Sequence, residues 1–402
     1  MIKVSEALAI LRGACSAGPT EMIALRESAG RVLARDVRSD VAWPPFDTSA
    51  MDGYAVIVSD FAAGKGPVAE RPGVVGAGAL PPAPLKSGEA VRIMTGAPVP
   101  DGTEAILPVE KVHRGDGAIT ALASPEKGEH LRRRGESIEE GAILLPRGRR
   151  LAPSGIALAA LAGADPLLVY RRPRVAIAVT GNELVATTAR PGPGQLRDSN
   201  GPMLEALCRT HGAEAVALAP VADEDDAVRR LFSRSAADED VLVTSGGVSA
   251  GDLDLLPQEA ERSGFEILFH GVAIRPGKPV AFGRRGDKLW FGLPGNPVST
   301  SVCFHVFVRL ALDALAGADP AGPVFVSARL SRPITIKGKR ETYTDAQLSV
   351  SDGTLRAKPI RSRGSHDLGT YASANALIRV PHGTEALAEG AVVDCLVLGD
   401  RL

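Results

Sequence analysis

The chain has no surplus charge of either sign. Its 46 Lys and Arg stand against 47 Asp and Glu, a formal net charge of −1, which argues against wholesale binding to nucleic acid or to an anionic membrane surface. Cysteine is sparse. Cys15, Cys208, Cys303 and Cys395 are scattered with no Cys-x-x-Cys spacing, and read as reduced, partly buried thiols of a cytoplasmic protein. The seven histidines are equally dispersed, so a zinc site built from Cys and His is not expected. Met1 to Glu6 lack the apolar core of a signal peptide. The most apolar stretch, Val298 to Leu315, carries His305, Arg309 and Asp313, and reads as a buried core helix rather than a membrane span.

What remains is a globular composition, 45% hydrophobic and 23% charged over 402 residues, enough for two to four domains. Residues 4–14 are apolar at helical spacing through Val4, Leu8 and Leu11. From Val41 to about Arg134 the texture changes to short β-like runs broken by Pro and Gly, among them 54–58, 91–94 and 105–107. An Ala/Leu-rich helix follows at 151–163. The β unit therefore reads as an insertion into a split scaffold: 1–42 and 139–170 as scaffold, 43–138 as inserted β domain.

Residues 171–318 alternate strand and helix. Val175 to Val179 is a continuous apolar run of the kind buried parallel strands show. A helix over 202–211, a strand over 214–219, a helix over 225–235 and a strand over 241–244 follow, and 279–283 with 288–291 suit a hairpin. This predicts a doubly wound α/β domain, with ligands outside the carboxyl ends of its strands. From 319 to 402 short strands return (324–326, 333–336, 376–378 and 392–398), predicting a small C-terminal barrel or sandwich.

The most informative stretch is Gly292-Leu293-Pro294-Gly295-Asn296-Pro297-Val298-Ser299. It follows an apolar strand and opens the long helix, with Asn296 at a preferred N-cap and Pro297 at the first helical position. Such an elbow presents backbone donors to an oxyanion. A second elbow, Ser245-Gly246-Gly247-Val248-Ser249, also ends a strand. Glu183, Asp223, Asp252 and Asp254 lie near predicted strand ends. Carboxylates beside an anion cradle suit Mg²⁺ between them and the anion; for Asp223 and Asp252 helix capping explains the residue equally well. Arg275 and Lys278 flank Pro276-Gly277 on a stiff turn, where they either neutralise an oxyanion or sit on a surface loop. Asp52-Gly53 and Thr95-Gly96-Ala97-Pro98 read locally as turns. Arg132-Arg133-Arg134 and the run Arg361 to His366 read as solvated faces or phosphate contacts.

Taken in order, Ser49 to Ala55, Arg92 to Pro98, Ser245 to Ser249, Pro276 to Pro279 and Gly292 to Ser299 resemble the molybdopterin molybdenumtransferase family, to which the gephyrin E-domain is related. The resemblance spans essentially the whole chain. It implies a split scaffold, an inserted β domain, a molybdopterin-binding α/β domain and a C-terminal β-barrel. It also implies a homodimer whose active site is shared between subunits, and molybdopterin adenylyltransferase as the upstream partner. The implied substrates are adenylylated molybdopterin and molybdate, with AMP released, and Mg²⁺ as cofactor. By motif, Asp52, Thr95, Glu183, Asp223 and Asp254 form the catalytic set, with Glu183 and Asp254 on the metal. Ser245, Gly246, Gly247, Ser249, Gly292, Pro294, Gly295, Asn296, Pro297 and Ser299 hold the pterin and its phosphate. Arg275 and Lys278 offset anionic charge, and Arg340 and Ser365 reach in from the barrel. Two positions depart from the family pattern: Ser137 replaces an Asp, and Gly271 stands where relatives can carry Lys. The rival readings are an adenylyltransferase, which shares the α/β domain type, and a non-catalytic pterin-binding paralogue.

Overall fold

A computed structural model of the chain describes residues 1–402 except 63, 64, 222, 223, 249–254, 321, 337 and 400–402, and omits the side chains of 234–238. Strands on either side of the β-rich stretch pair with each other: Thr20–Ile23 with Leu167–Tyr170, and Val37–Arg38 with Ile143–Leu145. They share a small core of Leu33, Val37, Leu145, Leu151, Leu167 and Val169 with Ala159 of the helix Pro153–Leu161. Between them lies a six-stranded sheet in the order Ala105–Pro108, Gly53–Val56, Glu89–Ile93, Val68–Val75, Ala118–Ala121, Val112–Gly115.

The helix Val4–Ala14 forms as its spacing requires. It does not join the scaffold core, as the assignment of 1–42 to one domain implied. Val4, Ala7 and Leu11 bury against Val272, Phe307 and Leu310 of the α/β unit, and Ile2 bridges to Val272. The apolar stripe is satisfied by the nearest large apolar surface, whatever the order of the chain.

The α/β unit is built from β1 (Arg174–Val179), α1 (Asn200–Thr210), β2 (Glu214–Ala217), α2 (Asp225–Asp238), β3 (Val241–Ser245), α3 (Leu255–Arg262), β4 (Glu266–His270), β5 (Ala281–Arg285) and β6 (Lys288–Leu293). The sheet order is β2-β1-β3-β6-β5-β4. β1, β2, β3 and β6 run parallel, while β5 is antiparallel to both its neighbours and forms the expected hairpin with β6. Successive residues of a strand face opposite layers. Val175 and Ile177 pack with α1 and the long helix on one face. Ala176 and Ala178 pack with Phe232, Leu256 and Trp290 on the other. Burial on both faces is why these strands are apolar throughout.

The helix after β6 runs from Pro297 to Leu315 and is almost wholly buried, as a core helix should be. It is not uniform: Phe304–Val308 adopt a π-helical turn. The C-terminal strands β7 (Phe325–Leu330), β8 (Glu341–Ser351), β9 (Thr354–Pro359), β10 (Ala376–Val380) and β11 (Val392–Val397) close as a barrel in the order β8-β9-β7-β11-β10, with β10 returning to β8. Sequence reading missed β8 and β9. Their signal was Asp352-Gly353, where both residues have positive φ, 52° and 69°, the two-residue turn that a tight hairpin demands. Ile274–Arg275 adds a short parallel strand beside Glu341 and Thr342, tying the α/β unit to the barrel.

Candidate active site

The two glycine elbows meet. β3 and β6 are hydrogen-bonded neighbours whose ends coincide, Ser245 pairing with Leu293. Gly246 and Gly295 come so close that a Cβ built on Gly295 would lie 3.6 Å from Gly246 Cα. Gly246, with φ +101°, abuts Thr180 so tightly that a side chain there would collide with the Thr180 carbonyl. Glycine is required at this position by sterics alone.

A buried polar knot holds the elbows in register. Asn200, the first residue of α1, gives its two amide hydrogens to Ser245 Oγ (2.9 Å) and the Gly295 carbonyl (2.7 Å). Ser245 Oγ donates in turn to the Pro294 carbonyl at 3.0 Å, which also accepts from Thr300 Oγ1 at 2.6 Å. Ser245 has no exposed surface. Its hydroxyl is engaged inside the protein, where it shapes the cradle that Ser245 also lines. Gly292 departs from the expected binding set. It lies within β6, where a Cβ would sit 2.7 Å from Val248 Cγ1, and it does not line the cleft.

The elbows form the floor of a cleft of about 1060 Å³. Its walls carry Glu183, Asp198, Arg275, Lys278, Arg340 and Ser365, with Pro294, Asn296, Pro297 and Ser299 along the rim. Among the described lining residues, Arg197, Arg275, Lys278 and Arg340 outnumber Glu183 and Asp198, so the cleft favours anions. The turn bearing Arg275 and Lys278 is pinned at Gly277. Its φ is +109°, and a side chain there would run into Cys303 Sγ. Arg340 donates to the Ile274 carbonyl at 3.2 Å. Not every donor expected at the helix start is open: Val298 N–H is taken by the Ser365 carbonyl at 3.1 Å, and Asn296 sits at the N-cap without a side-chain capping bond. Barrel and helix start are thereby joined at the cleft.

Asp52 and Thr95 lie elsewhere, in turns at the ends of strands of the inserted sheet, and do not line this cleft. They do find each other: Asp52 Oδ1 accepts from Thr95 N (2.8 Å) and Thr95 Oγ1 (2.7 Å). These two bonds hold the exposed Asp52 carboxyl below the usual carboxylate range, so it stays an acceptor. Asp223, Ser249, Asp252 and Asp254 lie outside the described residues. The arginine run is tied down locally, Asp47 accepting from Arg133 Nη1 (2.6 Å) and Arg134 N (2.8 Å). Sequence reasoning missed Asn200 as a structural tie, and Asp198, whose Oδ1 accepts from Gly201 N at 2.9 Å. The clue to both was Asp198-Ser199-Asn200-Gly201 at a helix start.

Three family profiles cover the chain in sequence. Residues 2–163 match the MoeA N-terminal region (domain I and II), 176–314 a probable molybdopterin binding domain, and 327–398 the MoeA C-terminal region (domain IV). The chain is 37% identical over 389 residues to a molybdopterin molybdenumtransferase of Nostoc, covering 94% of this chain and 88% of that protein.

The chain belongs to the MoeA family.

A molybdopterin molybdenumtransferase of Bacillus subtilis is 33% identical, covering 96% of this chain and 91% of that one. A crystal structure titled as the molybdopterin biosynthesis MoeA protein of Pyrococcus horikoshii superposes with a TM-score of 0.85 at 31% identity, covering both chains completely. The fold is thus a multidomain MoeA fold with a doubly wound α/β unit and a closed C-terminal barrel. The two departures from the family pattern have distinct settings. Gly271 sits at φ +86° and exchanges backbone bonds with Ile2 and Val280, a conformation a lysine adopts only at a cost. Ser137 is exposed, and its N–H donates to the Trp43 carbonyl.

Proposed function

We propose that this protein inserts molybdenum from molybdate into adenylylated molybdopterin, with cleavage of the phosphoanhydride and release of AMP. The observation that carries the reading is the convergence of both glycine elbows with Arg275, Lys278, Arg340 and Ser365 on one anion-favouring cleft. The elbows' backbone donors suit phosphate oxygens. The basic side chains offset the charge of a tetraoxo dianion. Glu183 and Asp254 would hold Mg²⁺. Among the described residues no group of three acidic, His or Cys side chains forms an ion site, and one or two carboxylates are what Mg²⁺ takes when substrate phosphates and water complete its shell. When bound, the ion would neutralise charge on the anhydride.

The catalytic unit in this proposal is a homodimer in the cytoplasm, fed by a molybdopterin adenylyltransferase. Asp52 and Thr95 form a ready-made polar pair away from the cleft of their own chain. The same N-terminal approach to the inserted domain exposes large apolar side chains at Trp43, Phe46 and Met51, to 44%, 42% and 39%. A second copy covering that surface would carry the pair to the partner's cleft.

The test is AMP release from adenylylated molybdopterin on addition of molybdate. Pyrophosphate release from ATP and molybdopterin would indicate an adenylyltransferase instead. Tight molybdopterin binding without AMP release would indicate a non-catalytic binding protein.

A further inference from the structure

Beside the main cleft, in the seam between the α/β unit and the barrel, lies a second cavity of about 400 Å³. The two share Arg275, Pro276, Gly364 and Ser365 in their walls, so they are neighbours along one seam. The chemistry of the second differs. Pro276, Ile334, Ile336 and Ile360 give it apolar walls, and Asp345 of β8 stands among them. Asp345 is only 4% exposed. Burial and the nearby Asp367 carboxylate both disfavour its charge, and the Ser362 hydroxyl is the one group easing it. No basic group among the described residues contributes to its stabilisation. Arg275 also lines the cavity, but a buried carboxylate whose charge no basic group among the described residues eases is costly to the free protein. Such a group needs a reason, and a ligand that donates hydrogen bonds supplies one.

The phosphate end of the substrate cannot be that ligand, because phosphate offers only acceptors at neutral pH and would be repelled. The other end can. The pyrimidinone ring of a pterin carries an amino group beside a ring N–H, two parallel donors at the spacing of a carboxylate's two oxygens. A flat bicyclic ring also suits the volume and apolar walls of the cavity. We propose that this seam cavity seats the pterin ring, with the Asp345 carboxylate accepting both donors of its amino-pyrimidinone edge, while the phosphate end lies on the glycine elbows. The inference rests on the proposed substrate and assigns its ring a place. No bond is made or broken at Asp345, which acts as a specificity-determining residue.

The test compares wild type with Asp345→Asn, a variant of equal size in which one acceptor oxygen is replaced by a donor. The probes are molybdopterin, AMP and molybdate, each bound separately. The expected result is at least a tenfold loss of molybdopterin affinity, with AMP and molybdate held within about twofold, since each charge-assisted bond lost is worth roughly a factor of ten or more. Ile336→Trp, which places a larger side chain in the cavity wall, should give the same selective loss. Competition with free rings adds a readout of the pairing itself. Wild type should prefer pterin to lumazine, which carries oxygen in place of the amino group, and Asp345→Asn should lose that preference. Molybdopterin binding within twofold of wild type in Asp345→Asn would overturn the inference. So would an equal loss for AMP, or a wild type indifferent between pterin and lumazine. Failure of the functional reading is seen separately, as a wild type that binds molybdopterin but releases no AMP when molybdate is added.

Discussion

Replacing Asp345 by asparagine should make the ligand-free protein more stable at pH 8, and the gain should fade in acid. The Asp345 pKa is raised from 3.8 to about 6, first by burial and then by Asp367. A carboxyl that ionises more readily unfolded than folded stabilises the folded state only while protonated. That contribution is complete below the unfolded pKa and is lost as pH rises through the folded one. The shift of roughly 2 units corresponds to about 3 kcal/mol at about 1.4 kcal/mol per unit. Because the carboxylate borders an open cavity, we expect about 1–3 kcal/mol of the penalty at pH 8. Asparagine removes that penalty while keeping a hydrogen-bonding side chain for Ser362. Near pH 4 the folded wild-type carboxyl is almost fully protonated and the unfolded one nearly half so, and the difference between the proteins should fall below about 1 kcal/mol. Thermal unfolding of both proteins at pH 8 and pH 4 measures this as a double difference, in which titrating groups not coupled to Asp345 cancel. A rise of about 2 °C or more at pH 8 is expected. Equal stability at pH 8, or a gain that persists undiminished at pH 4, would refute the reasoning.

Four other outcomes follow from the geometry. Asp52→Ala and Lys278→Ala proteins should each be folded and nearly inactive, yet mixing and re-annealing them should restore activity to about a quarter of wild type. Half of the dimers are then mixed, and each carries one intact site; a mixture as inactive as its components would exclude the shared site. Asn200→Ala should cost about 1–3 kcal/mol in unfolding free energy and raise the KM for adenylylated molybdopterin, because both elbows lose the same tie. Gly277→Ala should weaken molybdate binding measured by calorimetry, since a Cβ against Cys303 must displace the turn that presents Arg275 and Lys278. His305, whose pKa is pushed down to about 3 by burial, then by His211 and Arg309, should destabilise the fold as pH falls below about 6.5, by up to about 1.4 kcal/mol per pH unit. The unfolded chain takes up the proton that the folded one refuses, so His305→Gln should flatten the acid limb of a stability profile.

How much of this was legible beforehand depended on whether a residue's role was local. The strands Val175–Val179 and Val241–Thr244 announce themselves because a strand covered on both faces is apolar throughout. The elbows announce themselves because only glycine tolerates Gly246 against Thr180 or Gly277 against Cys303. Asp52 could not be read this way. Its local environment is a turn, and its value lies in a bond to Thr95, more than forty positions along the chain. Gly292 shares the motif yet lies inside β6, because a pattern of small residues does not distinguish space left for a ligand from space taken by Trp290 or Val248. Asn200 was visible only as a helix start, although its amide joins two strand ends that the chain separates by fifty residues. Asp345 is the extreme case. It falls in a strand that the sequence reading passed over, in an alternation of Thr, Tyr and Val with nothing to mark an acid as special. Its meaning arises only when the barrel closes and the Ile274–Arg275 strand docks on β8, leaving a buried carboxylate whose charge no basic group among the described residues eases. A polar group of that kind is costly in the free protein. Retaining it is the mark of a position shaped for binding rather than for stability, which is why the same substitution is expected to raise stability and lower molybdopterin affinity together.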